Sequence, residues 1–290
     1  MVQQALNRHS RILIPPETKF FFSFFGLSKR AQNDHIVRIN KDLNIHLEAP
    51  QTRVVSDDEG RAFYELLARQ YTEKIGKSED ILFGEKTPEH TSHLPTIRRL
   101  FPDAKVLFLY RDGRDVASSL AKAPWMPPDL EVGFMVWLYY QRIVLQAMSS
   151  NVPNFYFARY EDIVADPEHQ FSEILSFLGL PYEPDVARGY GNTEGVPVRE
   201  YAWKGAALQK ITPERVGAFR RELSLSQIAL LERLGKHTLA AFDYPLVTDG
   251  SHPLTARCLL RLCWHLVGFL GGLPGNSVVQ ELTNQLAVLL

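Results

Sequence analysis

The run Lys105-Val106-Leu107-Phe108-Leu109-Tyr110 constrains this chain more than any other feature, because it is nearly continuous in apolar side chains and stops abruptly at Arg111-Asp112-Gly113-Arg114-Asp115. A strand that is apolar on both faces is buried on both faces, the pattern of a parallel sheet covered by helices. Asn154-Phe155-Tyr156-Phe157-Ala158-Arg159 repeats it, and Asp80-Ile81-Leu82-Phe83-Gly84 reads as a third, shorter strand. Longer amphipathic stretches fall between them, over residues 57–77, 94–101, 112–122, 130–150 and 167–178. This alternation predicts an α/β fold with a parallel sheet flanked by helices. The later chain reads as all helical, over 226–242, 254–271 and 277–290, with breaks at Pro245, Gly250, Pro253 and Pro274-Gly275.

Composition excludes several classes of function. The 290 residues are 45% hydrophobic, which suits a sizeable globular core rather than a disordered chain. A net charge of −1 and a pI near 6.8 offer no global field for nucleic acid or an anionic membrane, so any anion site must be a local cluster. Cys258 and Cys263 share a helical stretch at a spacing that suits neither a disulfide nor a metal site, so both read as reduced packing residues, which points to the cytoplasm. The apolar stretch Leu259 to Leu273 is interrupted by Arg261 and His265, too short and too polar to span a bilayer. It reads as a helix packed on the domain.

In an open parallel sheet, ligands sit beyond the carboxyl ends of the strands. The residues there are strongly polar: Glu85-Lys86-Thr87-Pro88 after the first predicted strand, Arg111 to Asp115 after the second, and Tyr160-Glu161-Asp162 after the third. An arginine at a strand-to-helix junction presents a planar, always-charged fork beside unpaired backbone amides, an arrangement that binds phosphate. Two cations and an aromatic ring at one sheet edge suit a nucleotide with several anionic groups. Asp112 and Asp115 open the following helix, where carboxylates favour the positive end of the dipole, so they read as structural, with Arg114 pairing to one of them.

The set EKTP, then LFPDAKVLFLYRDGRDVASS, then FARYEDI, resembles in order and spacing the sulfotransferases that use 3′-phosphoadenosine 5′-phosphosulfate. LNRHSRILIPPETKFF is similar to the segment that follows the phosphosulfate loop in bacterial members and in tyrosylprotein sulfotransferases. The resemblance runs from Met1 to about Leu180, and more loosely through YAWKGAALQKITPERVGAFRREL to Leu223. It implies the fold of the P-loop nucleotide-binding proteins, as one α/β domain over residues 1–245 with a helical extension over 246–290.

Carried over by position, the resemblance makes Arg111 and Ser119 the pair that holds the 3′-phosphate, and Tyr160 the aromatic residue near the adenine. It places Lys86 at the sulfuryl group and the bridging oxygen, where a fixed cation stabilises the charge that grows on the leaving phosphate. Lys204, in Trp203-Lys204-Gly205, falls where family members close a loop over the nucleotide. The acceptor hydroxyl needs a base. Glu17, in Pro15-Pro16-Glu17-Thr18, matches the glutamate base of the tyrosylprotein enzymes. His90 is the other candidate, because the small-molecule enzymes place a histidine directly after Lys-Thr, whereas Pro88 and Glu89 intervene here. Glu17 is preferred, and His9 reads as a packing or capping residue.

Family members precede the first helix with a buried strand and a loop of the type PRSGTT, whereas this sequence opens at Met1-Val2-Gln3-Gln4-Ala5-Leu6. The expectation is therefore a fold without its first strand and phosphate loop, from a start placed too late or a truncated product. The predicted activity is metal-free sulfuryl transfer to a small-molecule or peptidyl hydroxyl, with no nucleic-acid or membrane partner. The alternative is an inactive nucleotide-binding or scaffold relic. A kinase is disfavoured, because no phosphate loop of the pattern GxxxxGKS or GxxxxGKT occurs.

Overall fold

Two strand pairs carry the described part of the chain: β1 (Ile12–Leu13) with β2 (Leu82–Phe83), and β3 (Val106–Tyr110) with β4 (Phe155–Arg159). The computed structural model describes residues 1–23, 28–54, 56–78, 80–150, 152–188 and 210–249. The expected helices at 254–271 and 277–290, both cysteines, the 259–273 stretch and Lys204 lie outside these residues. By contacts the chain divides into two units, one of Met1–Leu107, Pro153–Ala158 and Asp162–Thr212, the other of Phe108–Val152, Arg159–Glu161 and Pro213 onward.

In the first unit α1 (Val2–Leu6) leads to β1, then α2 (Phe20–Ser23), α3 (Lys29–Leu43) and α4 (Asp57–Ile75) precede β2. The strands run parallel with Ile12 opposite Leu82 and Leu13 opposite Phe83. The pairing is closed by Leu82 N donating to Arg11 O at 2.8 Å and Gly84 N to Leu13 O at 2.9 Å. Helix α4 starts where expected because Ser56 and Glu59 form a reciprocal capping box, and it stops at Gly76, whose φ of 74° suits a residue without Cβ. Its inner face joins Leu13, Phe20, Ile36, Ile39 and Leu100 in one buried cluster through Leu67 and Tyr71. After β2 a 3-10 turn over Pro88–His93 leads into α5 (Leu94–Leu100). His9 is fully buried, with Nε2 3.0 Å from Pro181 O and Nδ1 accepting from Arg11 N, which is the packing role expected of it.

The second unit is built on α6 (Gly113–Leu120) and α7 (Leu130–Ser149), with α11 (Phe219–Glu222) and α12 (Leu225–Ala241) following later. Between them in the chain, α8 (Tyr160–Ala165) begins directly at the end of β4, and α9 (Pro167–Leu178) and α10 (Pro184–Arg188) follow as part of the first unit. Helices α6 and α7 meet at Gly113, where an added Cβ would lie 2.5 Å from the Trp137 ring. Trp137 fills that space, stacks on Phe134 at 5.1 Å and donates its indole N–H to Arg111 O at 2.9 Å. The glycine thus lets the residue that ends β3 be braced from behind by a tryptophan.

Candidate active site

Where β1 and β2 end, the chain places the first group of predicted residues. Lys86 Nζ donates to Glu17 Oε1 in a close ion pair, with the side chains 39% and 25% exposed. Both remain partly exposed to solvent. Glu85, one residue before Lys86, turns its carboxyl inward, and Oε1 accepts from Thr87 Oγ1 at 2.8 Å and Thr18 N at 3.3 Å. Burial pushes this carboxyl up to about 7, against the hydrogen bonds from Thr87 and Thr18 and the charge of Lys86.

His90 lies beneath this pair rather than beside it. It is buried, its Nε2 accepts from Phe21 N at 3.2 Å, and its ring packs edge-on to Phe21. Burial brings the imidazole down to about 3, with smaller contributions from neighbouring charges. His35 is held in the same way, down to about 4, by burial and then by Arg38 and Lys19. Both rings are neutral supports at physiological pH. Around them Lys19 pairs with Glu89 at 3.0 Å, and Arg38 donates to Thr18 O at 2.7 Å.

In the second unit β3 delivers Arg111. Its Nη2 donates to Asp115 Oδ2 at 3.2 Å and to Arg215 O, and the guanidinium lies 4.3 Å from the Tyr160 ring centroid. The side chain is 18% exposed, and Nε is buried with no hydrogen-bond partner among the described residues. Asp115 is fully buried and also accepts from Gly217 N at 2.9 Å and Phe219 N at 2.8 Å. That carboxylate therefore anchors the segment before α11. Ser119 is exposed on α6, whereas its neighbour Ser118 is buried and donates to Glu222.

Arg114 has the opposite environment from Arg111 three residues earlier. Only 1% exposed, it forms a two-pronged pair with Asp112, reaches Glu232 and Pro245 O, and lies 4.2 Å over the Phe219 ring. Its acidic partners are thus Asp112 and a residue of α12. A cleft of about 450 Å³ beside it is lined by Arg159, Glu161, Arg220, Arg221 and Tyr244 among others, but not by Arg111, Ser119 or Tyr160.

The structure thus brings Glu17 to Lys86 in one unit, and Arg111 to Tyr160 in the other, with Ser119 on the helix that follows Arg111. Residue-by-residue reading passed over Glu85, Thr18 and Thr87 as functional groups. The signal available was that Glu85 belongs to the same polar run as Lys86.

A profile described as the sulfotransferase family matches residues 1–184. A putative protein-tyrosine sulfotransferase of Caenorhabditis elegans is 27% identical over 142 residues, 47% of this chain and 53% of that protein. Carbohydrate sulfotransferase 1 of Rattus norvegicus is 32% identical over 92 residues, 31% of this chain and 22% of its own length. The chain spans about half the length of the tyrosine-sulfotransferase-like relatives it matches. Among solved structures, the sulfotransferase domain from the Synechococcus PCC 7002 olefin synthase aligns with a TM-score of 0.61 at 21% identity, covering 84% of this chain and 90% of that one. This likeness shows a common fold.

Proposed function

The chain belongs to the sulfotransferase family, and from that premise we propose that it transfers a sulfuryl group from 3′-phosphoadenosine 5′-phosphosulfate to the hydroxyl of an acceptor. The observation that carries this reading is the Lys86–Glu17 pair, a cation and a carboxylate in contact just past the ends of two parallel strands. When bound, the donor supplies the sulfuryl group and a phosphate oxygen on which negative charge grows as it leaves. Lys86 places a fixed cation at that oxygen, where it stabilises the transition state more than the ground state. To do so Lys86 releases Glu17, and the freed carboxylate accepts the proton of the attacking hydroxyl. His90 does not suit this task, because its Nε2 is already used as an acceptor and its ring is buried.

The second unit suits the nucleotide. The buried, unmatched Nε of Arg111 is a donor that a 3′-phosphate oxygen would satisfy, and the exposed hydroxyl of Ser119 adds a second. Tyr160, already packed on the Arg111 guanidinium, provides an aromatic face and a phenol for the base. Lys204 is proposed as a further phosphate contact. Acceptors of the phenol or alcohol class, including tyrosyl and sugar hydroxyls, fit a single carboxylate base with no metal step.

Calorimetric titration of 3′-phosphoadenosine 5′-phosphate tests the nucleotide half, with binding expected for the wild type and lost in Arg111→Ala. Transfer to 2-naphthol and to a tyrosine-containing peptide tests the chemistry. Lys86→Ala is expected to lower kcat by roughly a hundred- to a thousandfold. Arg111-dependent binding with no transfer to either probe would favour an inactive nucleotide-binding protein.

A further inference from the structure

Glu85 is assigned no part in the chemistry above, yet its carboxyl joins the two segments that carry it. Thr18 directly follows Glu17, Thr87 directly follows Lys86, and one oxygen, Oε1, accepts from both Thr18 N and Thr87 Oγ1. Thr87 Oγ1 in turn accepts from Lys19 N at 3.3 Å. A link of this kind is needed because the strand pairing stops short. The last ladder bond is Gly84 N to Leu13 O, and the next residues on the first strand include Pro15 and Pro16, which have no N–H to continue it. Beyond that point backbone pairing cannot keep Glu17 in register with Lys86.

We propose that Glu85 is the positioning residue of the transfer reaction, a carboxyl clamp that takes over from the β1–β2 ladder and holds Glu17 against Lys86. The proposal rests on the reading of Glu17 and Lys86 as the reacting pair. The second oxygen, Oε2, is buried with no partner among the described residues, and the side chain is 7% exposed. Such a group favours its protonated form, in agreement with a carboxyl raised to about 7. In that form the clamp adds no charge beside the ion pair. Once ionised it competes with Glu17 for Lys86. The other titratable groups that face it are His90, with Nδ1 3.9 Å from Oε1, and the buried phenol of Tyr64. His93, His35, Lys19 and Glu89 lie around His90 and Thr87.

The test compares Glu85→Ala, Glu85→Gln and Thr87→Val with the wild type in the full chain. Kinetics use 3′-phosphoadenosine 5′-phosphosulfate with 2-naphthol. Glu85→Ala is expected to lose about a hundredfold in kcat with little change in KM for the donor, since misplacing a reacting group by about 1 Å has that effect. Thr87→Val removes one of the two donors and is expected to lose less. Glu85→Gln keeps the acceptor oxygen and should restore most of the rate. It should also abolish the fall in kcat expected of the wild type as pH rises through about 7.

Acetylation of Lys86 by acetic anhydride, read by mass spectrometry, needs no catalysis. It should run several-fold faster in Glu85→Ala than in the wild type or Glu85→Gln. Equal Lys86 reactivity in all three proteins overturns the clamp whatever the kinetics. A Glu85→Gln variant as slow as Glu85→Ala also overturns it. Wild-type turnover in Lys86→Ala and Glu17→Gln instead removes the reading of the reacting pair, and the clamp's catalytic meaning with it. If Glu85→Ala does not fold, Thr87→Val with a Thr87→Ser rescue carries the same comparison.

Discussion

Replacing Arg114 by alanine should strongly destabilise the second unit, while the same change at Arg111 should leave its stability nearly unchanged. Arg114 is 1% exposed and is the cation for two buried carboxylates, Asp112 at 6% and Glu232 at 3% exposure. Removing it leaves both without their counter-charge, although Glu232 keeps Val247 N, Thr248 N and the Thr248 hydroxyl. Breaking a buried pair from one side typically costs about 3–5 kcal/mol. For a domain of this size that is a fall in melting temperature of roughly 6–20 °C. Arg111 differs because it is 18% exposed and serves one carboxylate rather than two, and that partner, Asp115, retains the backbone donors Gly217 N and Phe219 N. Its loss should cost under about 1 kcal/mol, near that of a partly exposed cation–π contact. Thermal melting with and without 3′-phosphoadenosine 5′-phosphate separates the two. Arg114→Ala should melt early, whereas Arg111→Ala should melt near the wild type but lose the ligand-induced rise. If stranded charge is the cause, Glu232→Gln in the Arg114→Ala background should recover part of the loss. Arg114→Ala melting within about 2 °C of the wild type, a cost under about 1 kcal/mol, would refute the reasoning.

Acid should destabilise the first unit before it affects the second. His90 and His35 are held at about 3 and about 4 in the fold but take up protons near 6.5 when unfolded, so each loses about 1.4 kcal/mol per pH unit as pH falls from about 6.5 towards its folded value. Glu85, raised to about 7, acts with the opposite sign and makes stability fall as pH rises from the ordinary carboxylate range to about 7. Urea midpoints across this range should therefore rise less steeply with pH in His90→Gln and more steeply in Glu85→Gln; unchanged slopes would count against the burial of both groups. Gly113→Ala sets a methyl group 2.5 Å from the Trp137 ring and should cost about 1–3 kcal/mol through overpacking. Its check is a shift in tryptophan fluorescence with a lowered urea midpoint, and a wild-type midpoint would show that the indole has room to move.

Legibility in the sequence followed the length and polarity of each element. Strands β3 and β4 and the helices α4, α7, α9 and α12 are long or strongly patterned, and their expected and observed ends agree to within a few residues. Strand β1 has two residues, Ile12 and Leu13, followed by Ile14 and two prolines, too little for a period to register. Helix α3 was not expected, because its buried face includes Gln32 and His35 beside Ile36, Ile39 and Leu43. Gln32 is buried by hydrogen bonds to Val54 N and Val54 O, and only the distant loop that brings Val54 makes that residue a core member.

The candidate site divides in the same way. The resemblance singled out Glu17 and Lys86 as the carboxylate and cation of interest, whereas chain order and residue chemistry alone determined that Arg111 ends an apolar strand, half-buried in the fold with Leu109 46% exposed, and that Ser119 follows on the next helix. These are local facts, set by apolar patterning and by which side chains carry charge. Which arginine keeps some exposure and which is fully buried in an ion network was decided by residues more than a hundred positions away, Glu232 for Arg114 and Arg215 for Arg111. The same holds for His90 as a neutral support and for Glu85 as the joint between two chain segments. A side chain's charge state and partner depend on what folding packs around it, and in those contacts sequence neighbours are a minority.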